Sequence, residues 1–135
     1  MADFKLKNQE GFRTMTATIA SATVIEAGDL VTLSAGVIIK AVAASTAVAY
    51  APNGSAVGET SIEVSVGNEF TMTGTGDANF AVTQKGTEVD LVGTTTQLID
   101  LGASATDVLK VSAASDAGTV GAATEIEVRI NKPLF

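Results

Sequence analysis

Alternation of apolar and polar residues is the feature that most constrains how this chain can fold. In residues 60–66 the side chains of Ile62, Val64 and Val66 fall on one face of an extended chain, and polar side chains fall on the other. Residues 124–130 repeat the pattern. This period is typical of half-buried β-strands, because successive side chains of a strand point to opposite faces of the sheet. We therefore predict a chain built mostly of strands.

Further short strands are predicted along the rest of the chain. They lie at residues 14–19, 30–33, 37–43, 88–92, 97–101 and 108–111. Turn-forming residues, mainly Gly, Asn and Asp, separate them. Eight or more short strands at this spacing predict an all-β protein, namely a small single-domain β-barrel or β-sandwich of short antiparallel strands.

Residues 60–73 are predicted to form a β-hairpin. Gly67-Asn68 is a turn sequence, and Phe70 and Met72 resume the alternation after it. Two alternating stretches joined by such a turn favour direct pairing of the two strands. The hairpin is the clearest local pairing that the sequence offers.

Two other segments leave alternatives open. Residues 41–51 are rich in Ala and fit either a strand or a short helix. A strand is slightly favoured, because several of these residues are β-branched and because Pro52 keeps the preceding backbone extended. Residues 102–107 fit either one helical turn or a loop.

The first thirteen residues differ in kind from the rest of the chain. Apolar Phe4, Leu6 and Phe12 alternate there with charged and polar side chains, including Lys5 and Lys7. Such a segment is either an ordinary first strand of the sheet or an arm that adheres to another chain. The predicted organisation is an N-terminal arm at 1–13 followed by a single β-rich domain at 14–135.

The chain contains no histidine and no cysteine. This excludes nucleophile systems that depend on His or Cys, and nearly every zinc site. We expect a protein that is not an enzyme and that uses no cofactor and no metal. What remains for an enzyme is a pair of carboxylates, a Ser-Lys pair or a metal site with oxygen ligands, and none of these has a specific spacing here. A hydrolase that uses two carboxylates as acid and base is a minor alternative.

Two such carboxylate pairs lie on predicted strands. Glu88 and Asp90 form one pair, and Glu125 and Glu127 form the other. Because the members of each pair are two residues apart, they share one face of a strand. We predict that this face is the solvent face, and that Arg129 lies on it as well.

The chain carries a net charge of −7, from 15 acidic and 8 basic residues. Binding of nucleic acid requires clustered Lys and Arg side chains, so this balance argues against it. No run of about 18 apolar residues exists, which argues against a membrane-spanning segment. The N-terminus lacks the apolar region of a secretory signal, so we expect synthesis in a cytoplasm.

Three stretches resemble small decoration, or cement, proteins on the capsids of tailed bacteriophages. They are EAGDLVTL at 26–33, which is followed by Gly36-Val37-Ile38, then KGTEVDL at 85–91 and VGAATEIEV at 120–128. The likeness covers residues 14–131. It implies a compact β-rich body, frequently trimeric assembly, and an N-terminal arm that becomes ordered on the capsid.

We therefore expect a structural protein that binds the major capsid protein on the outer surface of a virion and stabilises the head. Homo-oligomerisation, most simply as a trimer, is expected as well. A receptor-binding or adhesin module is the alternative, and it requires exposed aromatic or polar groups in the loops at 50–59 or 74–80. The predicted capsid contacts are the apolar and basic residues of the N-terminal segment: Phe4, Lys5, Leu6, Lys7, Phe12 and Arg13.

Overall fold

A computed structural model of the chain describes residues 3–93 and 95–135. Within these residues it contains no α-helix, and one 3-10 turn spans Val82–Gln84. The all-β prediction is confirmed, and every strand predicted outside the open segments is present within a few residues of its expected ends. The strands are β1 (Lys5–Asn8), β2 (Arg13–Thr18), β3 (Leu30–Ser34), β4 (Val37–Lys40), β5 (Ala49–Tyr50), β6 (Ser61–Val66), β7 (Thr71–Gly74), β8 (Glu88–Val92), β9 (Leu98–Asp100), β10 (Leu109–Val111) and β11 (Ile126–Ile130).

The strands form three antiparallel sheets. The largest has six strands in the order β1-β7-β11-β10-β8-β9. A second sheet pairs β2 with β6, and a third has the order β4-β3-β5. Over the described residues none of the sheets closes into a barrel, so the barrel among the two predicted architectures is not formed.

Two clusters of buried side chains make up the core of this single small domain. The larger cluster lies on the six-stranded sheet, where Met72 and Val128 are neighbours on paired strands. The smaller cluster includes Ile19, Ile38 and Ile62, which come from the two smaller sheets. The inward residues of each alternating stretch supply these clusters, as the sequence predicts.

The predicted hairpin at 60–73 is wrong, although both of its strands exist. β6 pairs with β2, whereas β7 pairs with β1 and β11 in a different sheet. The chain leaves β6 at Gly67, whose backbone has a φ of 73° and whose amide donates to the Phe135 carbonyl at 3.0 Å. Phe70 then enters the larger core cluster. Phe70 lies between β6 and β7, so its burial in this cluster places β7 in a different sheet from β6.

The structure also decides the two segments, 41–51 and 102–107, for which the sequence left alternatives. In residues 41–51 only Ala49–Tyr50 is a strand, and the amide of Ser45 donates to the Val42 carbonyl in a turn before it. This segment contains no helix. Residues 102–107 form a loop that folds over the six-stranded sheet.

The carboxylate of Asp90 holds the loop at 102–107 in place through three hydrogen bonds. It accepts the backbone amide of Ala105 at 2.9 Å on one oxygen, and those of Thr106 and Asp107 at 2.9 and 2.8 Å on the other. Asp90 is only 6% exposed, so its predicted place on the solvent face is wrong. Burial by itself raises the pKa of Asp90, but the amides of Asp107, Ala105 and Thr106 together outweigh it and lower the pKa.

Glu127 is a second carboxylate predicted on the solvent face and found buried, at 6% exposure. The segment that follows β10 is bonded to its main chain, since the amide of Ser112 donates to the Glu127 carbonyl at 3.0 Å and the Glu127 amide donates to the Ala117 carbonyl at 2.6 Å. The Thr71 hydroxyl donates to its Oε2 at 3.0 Å. Glu88, Glu125 and Arg129 are exposed as predicted. Neither carboxylate pair therefore has two carboxylates facing solvent.

Candidate protein-binding surface

The N-terminal segment lies in the six-stranded sheet rather than apart from it. β1 is the outermost strand, with Leu6 opposite Met72 of β7. Phe4 is fully buried in the larger core cluster, and Leu6 packs against the same cluster. Of the two alternatives for residues 1–13, the structure has the first strand over the part that it describes, and a separate arm is not shown.

Phe4 is held by contacts from three parts of the chain. Its amide donates to the Gly28 carbonyl at 3.0 Å, and the Tyr50 hydroxyl donates to its carbonyl at 3.4 Å. Its ring lies on Gly74, where a Cβ atom would come within 2.5 Å of Phe4 Cε1. Of the residues predicted as anchors on the capsid, Phe4 is therefore a core side chain, and Leu6 is partly buried against that core. Release of β1 would be needed to expose Phe4.

Phe12 lies at the rim of the same core. Its ring meets Phe70 edge to face at 5.0 Å between centroids and Tyr50 at 6.2 Å. It is partly buried. Such aromatic pairs contribute beyond the area that they bury, so Phe12 stabilises the body while part of its ring stays accessible.

Lys7 points to the outer face of the sheet and is engaged within the molecule. Its ammonium lies 3.2 Å from an Asp116 carboxylate oxygen and 3.8 Å from Glu127 Oε2. The hydrogen bond from Lys7 lowers the pKa of the Asp116 carboxyl. Lys7 therefore ties β1 to the loop after β10, and a partner would have to compete for it.

Gln97 closes a buried contact between the six-stranded sheet and β3. Its side-chain carbonyl accepts the Leu30 amide at 2.8 Å, and its Nε2 donates to the Leu30 and Ala41 carbonyls at 2.8 and 2.9 Å. Gln97 is 1% exposed. One side chain thus satisfies three backbone groups that burial would otherwise leave unpaired.

An ion network continues from Gln97 to the N-terminal segment. The Gln97 amide donates to Asp3 Oδ2 at 2.9 Å, and the Lys40 ammonium lies 3.3 Å from the same oxygen. Lys40 also lies 3.5 Å from Asp29 Oδ1, a buried oxygen that accepts no hydrogen bond from the described residues. Burial raises the pKa of Asp29, although the Glu26 amide and Lys40 act in the opposite direction. Through Asp3, the network holds the segment that leads into β1.

Two of the predicted contact residues remain available. Lys5 and Arg13 are exposed, and neither forms an ion pair with another described residue. Lys5 borders a surface groove of about 250 Å³ together with Asp3, Thr73 and Glu125. The six predicted contacts are thus divided between the core, an internal ion network and the surface.

The four most exposed large apolar side chains are valines in two pairs of loops, and the sequence analysis singled out none of the four. Val24 and Val57 are 54% and 73% exposed. Their loops are joined by backbone hydrogen bonds between Ile25 and Ser55, at 3.2 and 2.8 Å. We call this pair patch A. It belongs to the half of the molecule built around the smaller core cluster.

The second pair, which we call patch B, consists of Val82 and Val120, at 57% and 64% exposure. Phe80 joins their loops, because its amide donates to the Ala122 carbonyl at 2.7 Å and its carbonyl accepts the Gly121 amide at 2.8 Å. Phe80 itself is buried in the larger core cluster. Isolated valines in turn-rich stretches have no periodicity, so no sequence pattern marks either patch.

The loops required by the adhesin alternative offer no exposed ring, since Tyr50 and Phe80 are both buried. Within residues 3–93 and 95–135 no group of three or more His, Cys, Asp or Glu side chains is placed to hold a metal ion. No helix among these residues is long and apolar enough to cross a membrane. Comparison with protein-family models, curated proteins and solved structures found no match.

Proposed function

We propose that this protein is a structural, non-enzymatic component of a virion that binds the major capsid protein on the outer surface of the head and stabilises the shell. The sequence resemblance to phage decoration proteins supports the choice of partner. The observation that carries the proposal is the presence of two separate apolar patches on one folded body. A protein that holds neighbouring subunits together needs at least two such contacts.

Patches A and B lie on different halves of the domain, next to different core clusters. Each exposes two valines on loops that backbone hydrogen bonds hold in place. Exposed apolar side chains that lie together favour protein contacts. Binding at both patches links two subunits, and many copies raise the free energy needed to separate the lattice.

Charged residues have a secondary part in this proposal. Lys5 and Arg13 are exposed and form no ion pair with another described residue. At the rim of an interface such cations set register and association rate more than affinity. Their contribution should therefore decrease with salt, whereas that of the valines should not.

The proposal is tested by co-sedimentation with capsids assembled from the major capsid protein of the virus to which the proposal assigns this chain. Val57→Asp removes the centre of patch A, and Val120→Asp does the same for patch B. Burial of one valine contributes about 1.5 kcal/mol, so each change should weaken binding about tenfold or more. Val42→Asp is the matched control, because Val42 is also an exposed valine, at 40%, but lies outside both patches.

Shell stability provides the second readout. Wild-type protein should raise the temperature at which the capsid dissociates, and the variant carrying both changes should not. Absence of wild-type binding to the capsids would overturn the proposal. Wild-type affinity of the double variant would remove the two patches from it.

A further inference from the structure

β2 is a strand without a fully buried residue. Five of its six residues are exposed, and only Ala17 is partly buried. It pairs with β6 on one side, in a sheet of only two strands. Two-stranded sheets are marginal in water, and stability normally comes from further strands or from a covered face. β2 therefore has room for another strand.

The direction of the backbone groups of β2 follows from one hydrogen bond. The Ile19 amide donates to the Thr60 carbonyl at 3.1 Å, and the register between β2 and β6 continues without a shift from there to Arg13. In an antiparallel ladder alternate residues bond to the partner strand. Odd-numbered residues of β2 thus bond to β6. The amides and carbonyls of Thr14 and Thr16 point to the opposite edge.

That edge is occupied only at its far end, where Ile19 bridges to Ile38 of β4. No other strand pairing on this side of β2 is found among the described residues. The edge is also unprotected. Between residues 14 and 18 there is no Lys, no Pro and no bulge, the devices that natural sheets use to prevent pairing with other chains.

The other N-terminal edge strand shows the contrast. β1 carries two lysines, Lys5 and Lys7, and its register shifts between Leu6 and Asn8. These features discourage the addition of a strand to the six-stranded sheet. The edge of β1 is therefore protected against pairing, whereas the edge of β2 is left open.

We propose that β2 pairs with β2 of a second copy, antiparallel and about a twofold axis at Met15. Around that axis Thr14 of each copy lies opposite Thr16 of the other. The outward amides and carbonyls of these two residues then form four main-chain hydrogen bonds. The result is a continuous four-stranded sheet in the order β6-β2-β2-β6.

The side chains of β2 suit this self-pairing. Met15, a large apolar residue that is 38% exposed, meets its own copy at the axis. Arg13 lies opposite Ala17 of the second copy, so no like charges face each other. A twofold contact uses the same patch on both copies, and the uncharged, self-complementary stretch from Thr14 to Thr18 meets that requirement.

The expected association is weak. Four hydrogen bonds and one Met pair bury far less than the roughly 1,200–2,000 Å² of stable complexes. The dimer should therefore form only at high concentration in solution. Copies held close together on a surface would pair more readily, because their effective concentration is higher. The inference does not depend on the proposed function.

The test is sedimentation equilibrium of the full chain from micromolar to submillimolar concentration, together with amide exchange by NMR. Wild-type protein should show a monomer–dimer equilibrium. Exchange of the Thr14 and Thr16 amides should slow as the concentration rises, and that of Met15 should not change. A monomer at all concentrations, a trimer, or unchanged exchange at Thr14 and Thr16 would each overturn the proposal.

Two variants of Met15 give a sharper result. Met15→Lys and Met15→Glu each place like charges face to face and should abolish the dimer, whereas an equimolar mixture should restore it. Leu33→Lys is the matched control, since Leu33 is an apolar strand residue with 41% exposure. It should dimerise like the wild type. Dimers of Met15→Lys alone, or a mixture that stays monomeric while both variants are folded, would contradict pairing at this axis.

Discussion

Replacing Phe4 with Ala should strongly destabilise the protein. The side chain is fully buried in the larger core cluster, although it sits beside an edge strand. Truncation of a core Phe costs about 3–5 kcal/mol. Because β1 is an edge strand that can relax into the space left, we expect the lower limit, about 3 kcal/mol. This is a large part of the 5–15 kcal/mol that typically stabilises a domain.

Urea unfolding measures this loss. At an m value of about 2 kcal/mol/M the midpoint should fall by about 1.5 M. Lys5→Ala is the control, because Lys5 is the next residue and is exposed. It should change stability by no more than about 0.5 kcal/mol. Gly74→Ala should also destabilise, since its Cβ would meet the Phe4 ring, and its effect should shrink in the Phe4→Ala background.

The same measurement decides the state of the N-terminal segment in solution. The sequence analysis leaves open an arm whose removal, by deleting residues 2–13, does not unfold the domain. The structure leads to the opposite expectation, because Phe4 and Phe12 pack on the core. If Phe4→Ala and Lys5→Ala had equally small effects, the reasoning from burial would be refuted and the segment would be an arm.

Substitutions at three further positions test the internal polar groups. Asp90→Ala should cost about 3 kcal/mol in urea unfolding, about 1 kcal/mol for each amide that it leaves without an acceptor, and Asp90→Asn should cost less. Because folding lowers the pKa of Asp90, the ionised carboxylate stabilises the fold above pH 3.8, and this stabilisation is lost as the pH falls below that value. The stability of Asp90→Asn should therefore decrease less steeply with falling pH than that of the wild type. Folding raises the pKa of Asp29, so its protonation stabilises the wild-type fold as the pH falls towards 3.8. Asp29→Asn should lack this gain in stability. If its stability followed the same pH profile as that of the wild type, burial of the Asp29 carboxylate would not be the cause. Gln97→Ala should cost about 2–3 kcal/mol, because buried backbone groups lose their partner, whereas a loss below about 0.5 kcal/mol would show that water replaces the amide.

The sequence predicts where the strands lie, but it does not predict which strands pair. The positions of β8 and β11 follow from local alternation, because the side chains of a strand alternate whatever it pairs with. The partners of β6 and β7 do not follow from it. Their assignment to different sheets depends on the burial of Phe70 and on a hydrogen bond from Gly67 to the last residue of the chain.

The candidate surfaces show the same division. The sequence alone determines that the chain is all-β, lacks His and Cys, and has an alternating, basic N-terminal segment. Only the tertiary structure decides that Phe4 lies in the core, that Asp90 and Glu127 are buried, and that backbone hydrogen bonds join the loops of Val24 and Val57. The physical reason is one of range: alternation is a property of a single strand, whereas burial depends on segments distant in sequence that fold over it.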